Sequence, residues 1–401
     1  TSLVVHQSFK DRTMAAEEAA PVVDDGEEAE LDCANSDVCT KYREAGKIAN
    51  KVLEGVVQQC TVGASAKDIC TFGDTVIGSL TAGIYQKKVN GVAVEKGCAF
   101  PTCISLNECL CHNSPLSSDP AVLLAEGDVV KIDLGVHIDG FIAVVAHTMV
   151  VGAEPSAETP TDGPLGNIMT ASHIASEVAT KMIRPGNTNQ QVTSALGKVA
   201  ETFGVNLCAG VLSHQMKRYV IDGNKVILLK EDQDQKVDDF VFEVNETYSV
   251  DIALSTGEGK PRPQEHRTTV FKRAVDKSYR LKMKASRYLL TQVNTNFPTL
   301  PFTLRAMEDE KQARMGVVEC VKHELVHPYP ALYERPGDVV THFKFTVLIL
   351  PSGTARITGG AEFFNPAAYS SEVTIDEETN AILAMAGKKK KKRSKKKKAD
   401  E

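Results

Sequence analysis

Lys131-Ile132-Asp133-Leu134-Gly135 sets a carboxylate in the middle of an apolar run. Val129, Val130, Ile132 and Leu134 are strand formers, Asp139-Gly140 is a hairpin-turn dipeptide, and Phe141 to Val150 is again β-rich. The pattern predicts two strands and a tight turn, with Asp133 inside the first strand. A carboxylate in that position must be neutral, paired or bound to a metal. It is either a core acid satisfied by backbone or by a lysine, or a ligand, and what meets it in the fold decides between the two.

Other residues carry chemistry of a different kind. Cys109-Leu110-Cys111-His112 has the residue types of a zinc site, but no second pair follows at finger spacing, which argues against a structural zinc. Ser255-Thr256-Gly257-Glu258-Gly259-Lys260 lacks the closing GK[ST] of a phosphate loop and reads as a tight turn after a strand. Between residues 272 and 287, Lys272, Arg273, Lys277, Arg280, Lys282, Lys284 and Arg287 face a single acid, Asp276, with Phe271, Tyr279 and Tyr288 interleaved. In an otherwise acidic chain this favours an RNA-facing surface over a merely solvated helix face. Near the end, Lys388, Lys389, Lys390, Lys391, Lys392, Arg393, Lys395, Lys396, Lys397 and Lys398 place ten cations in eleven positions. A phosphate-binding arm and a nuclear or nucleolar address share those electrostatics, and both are expected.

The elements that position these residues follow from composition and pattern. A chain of 401 residues, 42% hydrophobic and 24% charged, can bury a sizeable core in one large domain or two ordinary ones. No apolar run approaches the length of a membrane span, and no signal-peptide pattern opens the chain. The ten cysteines have no framework spacing and read as reduced thiols of a cytosolic or nuclear protein. Met14-Ala15-Ala16 reads as a translation start behind thirteen preceding residues. Ten of the 46 basic residues sit in the tail, leaving 36 against 52 acids in the rest of the chain. Residues 1–35, acidic from Glu17 onward, read as a disordered leader, and 376–401 as a flexible lysine-rich tail. In between, helical periods are expected from Ser36, over 67–80, over 168–182 and from Thr188 to Phe203, with strands at 99–106, 246–254 and 341–350. Gly63 and Gly186 both break a helix pair that precedes strands, a weak internal duplication of an α/β half. Helical patterns fill about 275–325.

Five segments then fall into one order: Phe100-Pro101-Thr102 through Cys111-His112-Asn113-Ser114-Pro115, Lys131 to Gly135, Leu212-Ser213-His214-Gln215, Tyr248-Ser249-Val250-Asp251, and Thr341-His342-Phe343-Lys344-Phe345-Thr346. Over roughly residues 36–365 the chain resembles the type 2 methionine aminopeptidase family. The resemblance implies the α/β pita-bread fold, two pseudo-symmetric halves within 36–375 and a helical insertion. The family's enzymes hold two divalent metals with two aspartates, a histidine and two glutamates. Carried onto this chain, those positions are Asp133, Val144, His214, Asp251 and Lys344. The two further histidine positions of the substrate pocket hold His112 and Asp222. Val144 offers no lone pair, and Lys344 would repel a dication about 4 Å away by on the order of 8 kcal/mol. Dinuclear hydrolysis needs both ions, so no metal and no cofactor are expected, and Lys344 is expected to pair with Asp133 or Asp251.

This departure, with the lysine-rich tail, makes the chain look like the proliferation-associated, ErbB-binding protein family, relatives of that enzyme without peptidase activity. The resemblance implies binding to the large ribosomal subunit near the exit tunnel and to rRNA and other structured RNA. It also implies roles in ribosome biogenesis, translation control and transcriptional repression, and residence in cytoplasm, nucleus and nucleolus, with no membrane partner. The rival expectations are a working aminopeptidase with one metal on Asp133, His214 and Asp251, and a transcriptional or receptor-signalling adaptor.

Overall fold

The computed structural model describes residues 31–385 except 90, 153–155, 232–234 and 361–362. The acidic stretch up to residue 30 and the cationic run 388–398 lie outside the described residues. The chain opens with helices α1 (Ser36–Gln59) and α2 (Ala66–Ala82), followed by strands β1 (Lys96–Leu106), β2 (Cys109–Cys111), β3 (Val129–Ile138) and β4 (Phe141–Val150). A second helix pair, α3 (Gly163–Met182) and α4 (Asn189–Phe203), precedes β5 (Asn206–Leu207), β6 (Leu212–Met216), β7 (Val226–Leu228) and β8 (Thr247–Ser255). An excursion holds β9 (Arg262–Pro263), β10 (Val270–Arg273), α5 (Lys284–Asn296), β11 (Phe302–Thr303), α6 (Glu310–Lys322), β12 (Val326–Tyr329) and β13 (Leu332–Tyr333). The chain then returns through β14 (Val340–Leu350) and β15 (Gly353–Arg356) to α7 (Glu377–Ala384).

One large sheet runs β1-β3-β4-β14-β8-β6-β7, with β15 on β14 and β5 on β8, and every pairing in it is antiparallel. The duplication read from the sequence is visible here. Helices α1 and α2 cover β1, β3 and β4 through Val52, Leu53, Val56, Ile69 and Ile77. Helices α3 and α4 cover β8 and β14 through Ile168, Val178, Leu196 and Val199. Thr188 and Gln191 close a capping box at the start of α4, a device worth about 1 kcal/mol. Strand alternation does the rest: Ile132, Leu134 and Val136 face the helices, which turns Asp133 to the opposite face of the sheet. Asp139 (φ 56°) and Gly140 (φ 77°) make the tight turn in the left-handed region that such a hairpin requires.

Three expectations need correction. Leu31 and Cys33 pack with Tyr42, Phe141 and Leu348, so 31–35 belongs to the packed body and not to a disordered leader. At the other end, α7 places Ile382 in the second-half core, so 376–385 is not flexible tail. The excursion is not wholly helical either: β10 pairs with β11 and β12 in a separate three-stranded sheet, and of the cations between 272 and 287 only Lys284 and Arg287 stand on a helix. Here α6 lies directly on α5, since a Cβ at Gly316 would come within 2.3 Å of the Ala285 carbonyl. Among the described residues no helix is long and apolar enough to cross a membrane.

Candidate functional site

The inward faces of β3, β8 and β14 meet at the centre of the large sheet. Register places Lys344 opposite Asp251 and beside Ala146, the residue that pairs with Asp133. The Lys344 ammonium donates to Asp133 Oδ2 at 2.8 Å and lies 3.6 Å from Asp251 Oδ1. The expected pairing with one carboxylate is thus a bridge between two. His342, two residues earlier on the same face of β14, donates from Nε2 to Asp251 Oδ1 at 2.5 Å. All four side chains are buried. Burial works against charge on Lys344, but Asp133 and Asp251 overcompensate and hold its ammonium well above the usual lysine range. Burial alone would likewise raise the Asp251 carboxyl, yet Lys344 and the His342 hydrogen bond bring it below the ordinary carboxylate value.

The space in front of this cluster is filled by side chains. A bulge in β1 around Phe100 aims its ring at Lys344, with Nζ 5.2 Å from the centroid. Gly135 permits that approach, because a Cβ there would stand 2.9 Å from the Phe100 amide nitrogen. Tyr329 of β12 packs edge-on against both Phe100 and His112. His112, in the left-handed region at φ 64°, donates from Nδ1 to the Pro330 carbonyl at 3.1 Å. Burial, with Lys344 adding, pushes its pKa down to about 4, so the ring is neutral. His214 Nδ1 donates to Gly223 O at 3.4 Å, and burial lowers its pKa as well. Asp222 is ion-paired with Lys272 of β10.

The metals implied by the resemblance do not fit these residues. Val144 packs against Ala99, Ile142, Met216 and Leu300 in an apolar cluster. Asp133 Oδ2 accepts from Lys344 and Asp251 Oδ1 from His342, so the Lys344 ammonium stands between the two carboxylates, while Asp133 Oδ1 is buried without a partner. Among the described residues no group of three or more His, Cys, Asp and Glu is arranged to hold a metal ion. The arrangement sets one ammonium between two buried carboxylates inside the core.

Of the cationic residues read as one surface, the structure splits the set. Lys272 is turned inward onto Asp222, and Arg273 donates to the carbonyls of Ala274, Leu325 and Lys277. Arg287 likewise bonds the carbonyls of Leu281 and Lys282, and Lys277 lies 3.8 Å from Asp276. Arg280, Lys282 and Lys284 remain exposed, and their side chains have no partner among the described residues. Sequence reasoning missed His342 and Phe100 as parts of the centre. His342 carried a signal, since it shares the alternation that turns Lys344 inward. Phe100 carried none, because only the bulge aims it.

Comparison with known proteins fits this geometry. The profile of Metallopeptidase family M24 matches residues 40–260. ErbB-3 binding protein 1 of Solanum tuberosum is 50% identical over 339 residues, covering 84% of this chain and 85% of that protein. The chain belongs to the ErbB-3 binding, proliferation-associated protein family. Proliferation-associated protein A of Dictyostelium discoideum, 44% identical over 353 residues, covers 88% of this chain and 90% of its own length. A solved structure of a thermophilic Arx1 superimposes with a TM-score of 0.81 at 29% identity, over 88% of this chain and 99% of that one. The fold is therefore the M24 pita-bread fold, as the order of motifs implied.

Proposed function

We infer that this chain is a binding protein built on a peptidase fold, without hydrolytic activity of its own, which engages the large ribosomal subunit and structured RNA. The observation that carries the inactive half is the Lys344 ammonium, 2.8 Å from Asp133 and 3.6 Å from Asp251, at a position where the resemblance implies a glutamate ligand. A fixed protein cation neutralises the carboxylates without any Lewis acid to activate water. The binding half rests on the family resemblance and on two cationic surfaces, the exposed Arg280, Lys282 and Lys284 of the excursion and the run Lys388 to Lys398. The excursion sits on a folded body and can fix an orientation, whereas the lysine run supplies phosphate neutralisation with little register. Ribosome contact near the exit tunnel, translation and transcription control, and traffic between cytoplasm, nucleus and nucleolus belong to the same reading. So does a receptor-signalling partner of the ErbB-3 kind named by the relatives.

Two measurements test it. Elemental analysis of the purified protein is expected to find no stoichiometric divalent metal, while Lys344→Glu with Val144→Asp raises divalent affinity by restoring ligands. About two metal equivalents in the unmutated protein, together with release of N-terminal methionine from a peptide, defeats the inactive reading. Sedimentation on a ribosome gradient is expected to place the protein with large subunits, and its absence from them in low salt defeats the binding reading.

A further inference from the structure

Two Ser/Thr-Pro dipeptides occur in the chain, Ser114-Pro115 and Thr159-Pro160, and the fold treats them oppositely. Ser114 is 1% exposed, and its hydroxyl donates to the Thr102 carbonyl at 2.8 Å. Arg305 closes over it, donating to Ser114 Oγ and to the Pro115 carbonyl, so no enzyme reaches that hydroxyl while the site is folded. Thr159 stands on the connector between the two halves, where Ala157, Glu158, Thr159 and Pro160 are all exposed. Ser156 Oγ accepts from the amides of Glu158 and Thr159 at 3.3 and 3.2 Å and lies 3.1 Å from Thr159 Oγ1. These are exposed contacts of a single turn, outside any helix or sheet ladder, and they open without disturbing either half's core. The connector is held just beyond them: the Thr161 amide donates to Ala368 O, and Thr161 O accepts from the Ser370 amide.

A proline after the acceptor has a chemical meaning. It carries no amide hydrogen, and it holds the residue before it in extended backbone. A kinase pocket that offers no acceptor to the following residue therefore takes proline there and rejects any residue that would bury an unpaired N–H. We propose that Thr159 is a phosphoacceptor for a proline-directed serine/threonine protein kinase, with a nucleoside triphosphate as donor. Thr159 Oγ1 bonds to the γ-phosphorus, the bond from that phosphorus to the β–γ bridging oxygen breaks, the nucleoside diphosphate leaves, and the hydroxyl proton passes to the kinase's base. The new group carries about −1.5 to −2 charges at pH 7. Residues 151–180 hold no lysine or arginine, and neither does the segment 364–371 that Thr161 meets through Tyr369. With Glu158 before it and Asp162 after it, nothing in these segments draws the phosphate inward. It stays on the surface, open to a partner with a cationic pocket, and does not act as a latch within the fold.

The test treats the purified full chain with ATP, magnesium and a mitogen-activated protein kinase, and maps the product by peptide mass spectrometry. A single phosphoryl group on Thr159 is expected, added at a rate of the same order as on a free peptide of residues 152–166, with Ser114 unmodified. Pro160→Ala is expected to abolish the modification although Thr159 remains. The phosphorylated protein is expected to keep the thermal midpoint of the unmodified chain and to lose the group to a phosphatase as readily as the phosphorylated peptide does. No phosphate on Thr159, phosphate on Ser114 in its place, a rate far below that of the peptide, or modification indifferent to Pro160→Ala would each overturn the proposal. A shifted midpoint or resistance to the phosphatase would overturn the placement of the phosphate on the open surface. Neither RNA nor ribosomes enter the assay, so failure here is distinct from failure of the binding reading.

Discussion

Lys344 bridges two buried carboxylates, Asp133 and Asp251, and removing it strands both. Breaking a buried pair from one side costs about 3–5 kcal/mol, so Lys344→Ala is expected to lose that much in urea denaturation near neutral pH. The deficit has a pH signature. In the parent, Asp251 titrates below its ordinary value, so its stabilisation is present above the unfolded carboxylate range and fades as pH falls through the folded value. In the variant only His342 and His214 still oppose burial, so Asp251 titrates higher than in the parent and the variant has less carboxylate stabilisation to lose as pH falls. The gap between the two proteins should therefore narrow between about pH 7 and pH 4. A gap that stays constant or widens would show that Asp251 does not respond to Lys344. A second buried lysine behaves in the opposite way. Lys131, 1% exposed, donates to the carbonyls of Asn107 and Val129, and burial pushes its pKa down to about 7. Between that value and 10.5 the unfolded chain binds the extra proton, so this residue makes stability rise with pH across that window and imposes its full cost below it. Lys131→Met should remove the rise and stabilise the protein near pH 7 by on the order of a few kcal/mol, read from denaturation curves across the window. Asp133 and Lys344 were legible because charge inside an apolar strand demands a partner. Lys131 stands in the same strand, but its carbonyl partners leave no trace in sequence.

At the scale of elements, legibility follows the range of the interactions that make each one. The β3–β4 hairpin is local: alternating apolar residues and Asp139-Gly140 specify it, and the structure forms it as read. The α4 start is local too, through its capping box. The stretch 272–287 is not. Its lysines, arginines and leucine are compatible with helix, yet Val270 and Phe271 are claimed by Thr303 and Phe302 on one side and by Tyr329 and Pro328 on the other. Pairings tens of residues apart override local preference, and the expected helix shrinks to one that starts at Lys284. What fastens the excursion to the first half is similarly distant. Arg305, with 5% of its side chain exposed, donates to Asp74 at 2.5 Å, to the Pro115 carbonyl at 2.7 Å and to Ser114 Oγ at 3.0 Å. Glu310 accepts from the amides of Ser117 and Ser118 alongside it. Arg305→Ala should cost about 3 kcal/mol and act locally. Hydrogen exchange is expected to speed up across α5 and α6 while β3, β4 and β14 stay protected. Uniform acceleration over the whole molecule would mean that the excursion and the sheet open as one unit.

At the scale of the whole molecule, the two cationic surfaces stand on different mechanics, and that makes their contributions separable. The exposed Arg280, Lys282 and Lys284 are anchored to a body that Arg305 ties down, so any phosphates they meet must match a shape. Lys272, Arg273 and Arg287 are committed within the fold, so altering them tests stability more than binding. If each of the three exposed cations meets one phosphate, reversing all three to glutamate should lower the slope of log affinity against log salt by about 2.7. It should also remove binding to purified large subunits while leaving affinity for an unrelated duplex RNA through the lysine run. Deleting residues 388–401 should weaken both RNAs by a similar factor and flatten both salt slopes, because ten cations in sequence neutralise phosphates without choosing among them. Binding titrations of the two variants against the two RNAs, at about 50 and 200 mM salt, separate the roles. If the charge-reversed protein binds large subunits normally and the deletion alone abolishes that binding, then the lysine run carries the selectivity and the folded surface is only a solvated face.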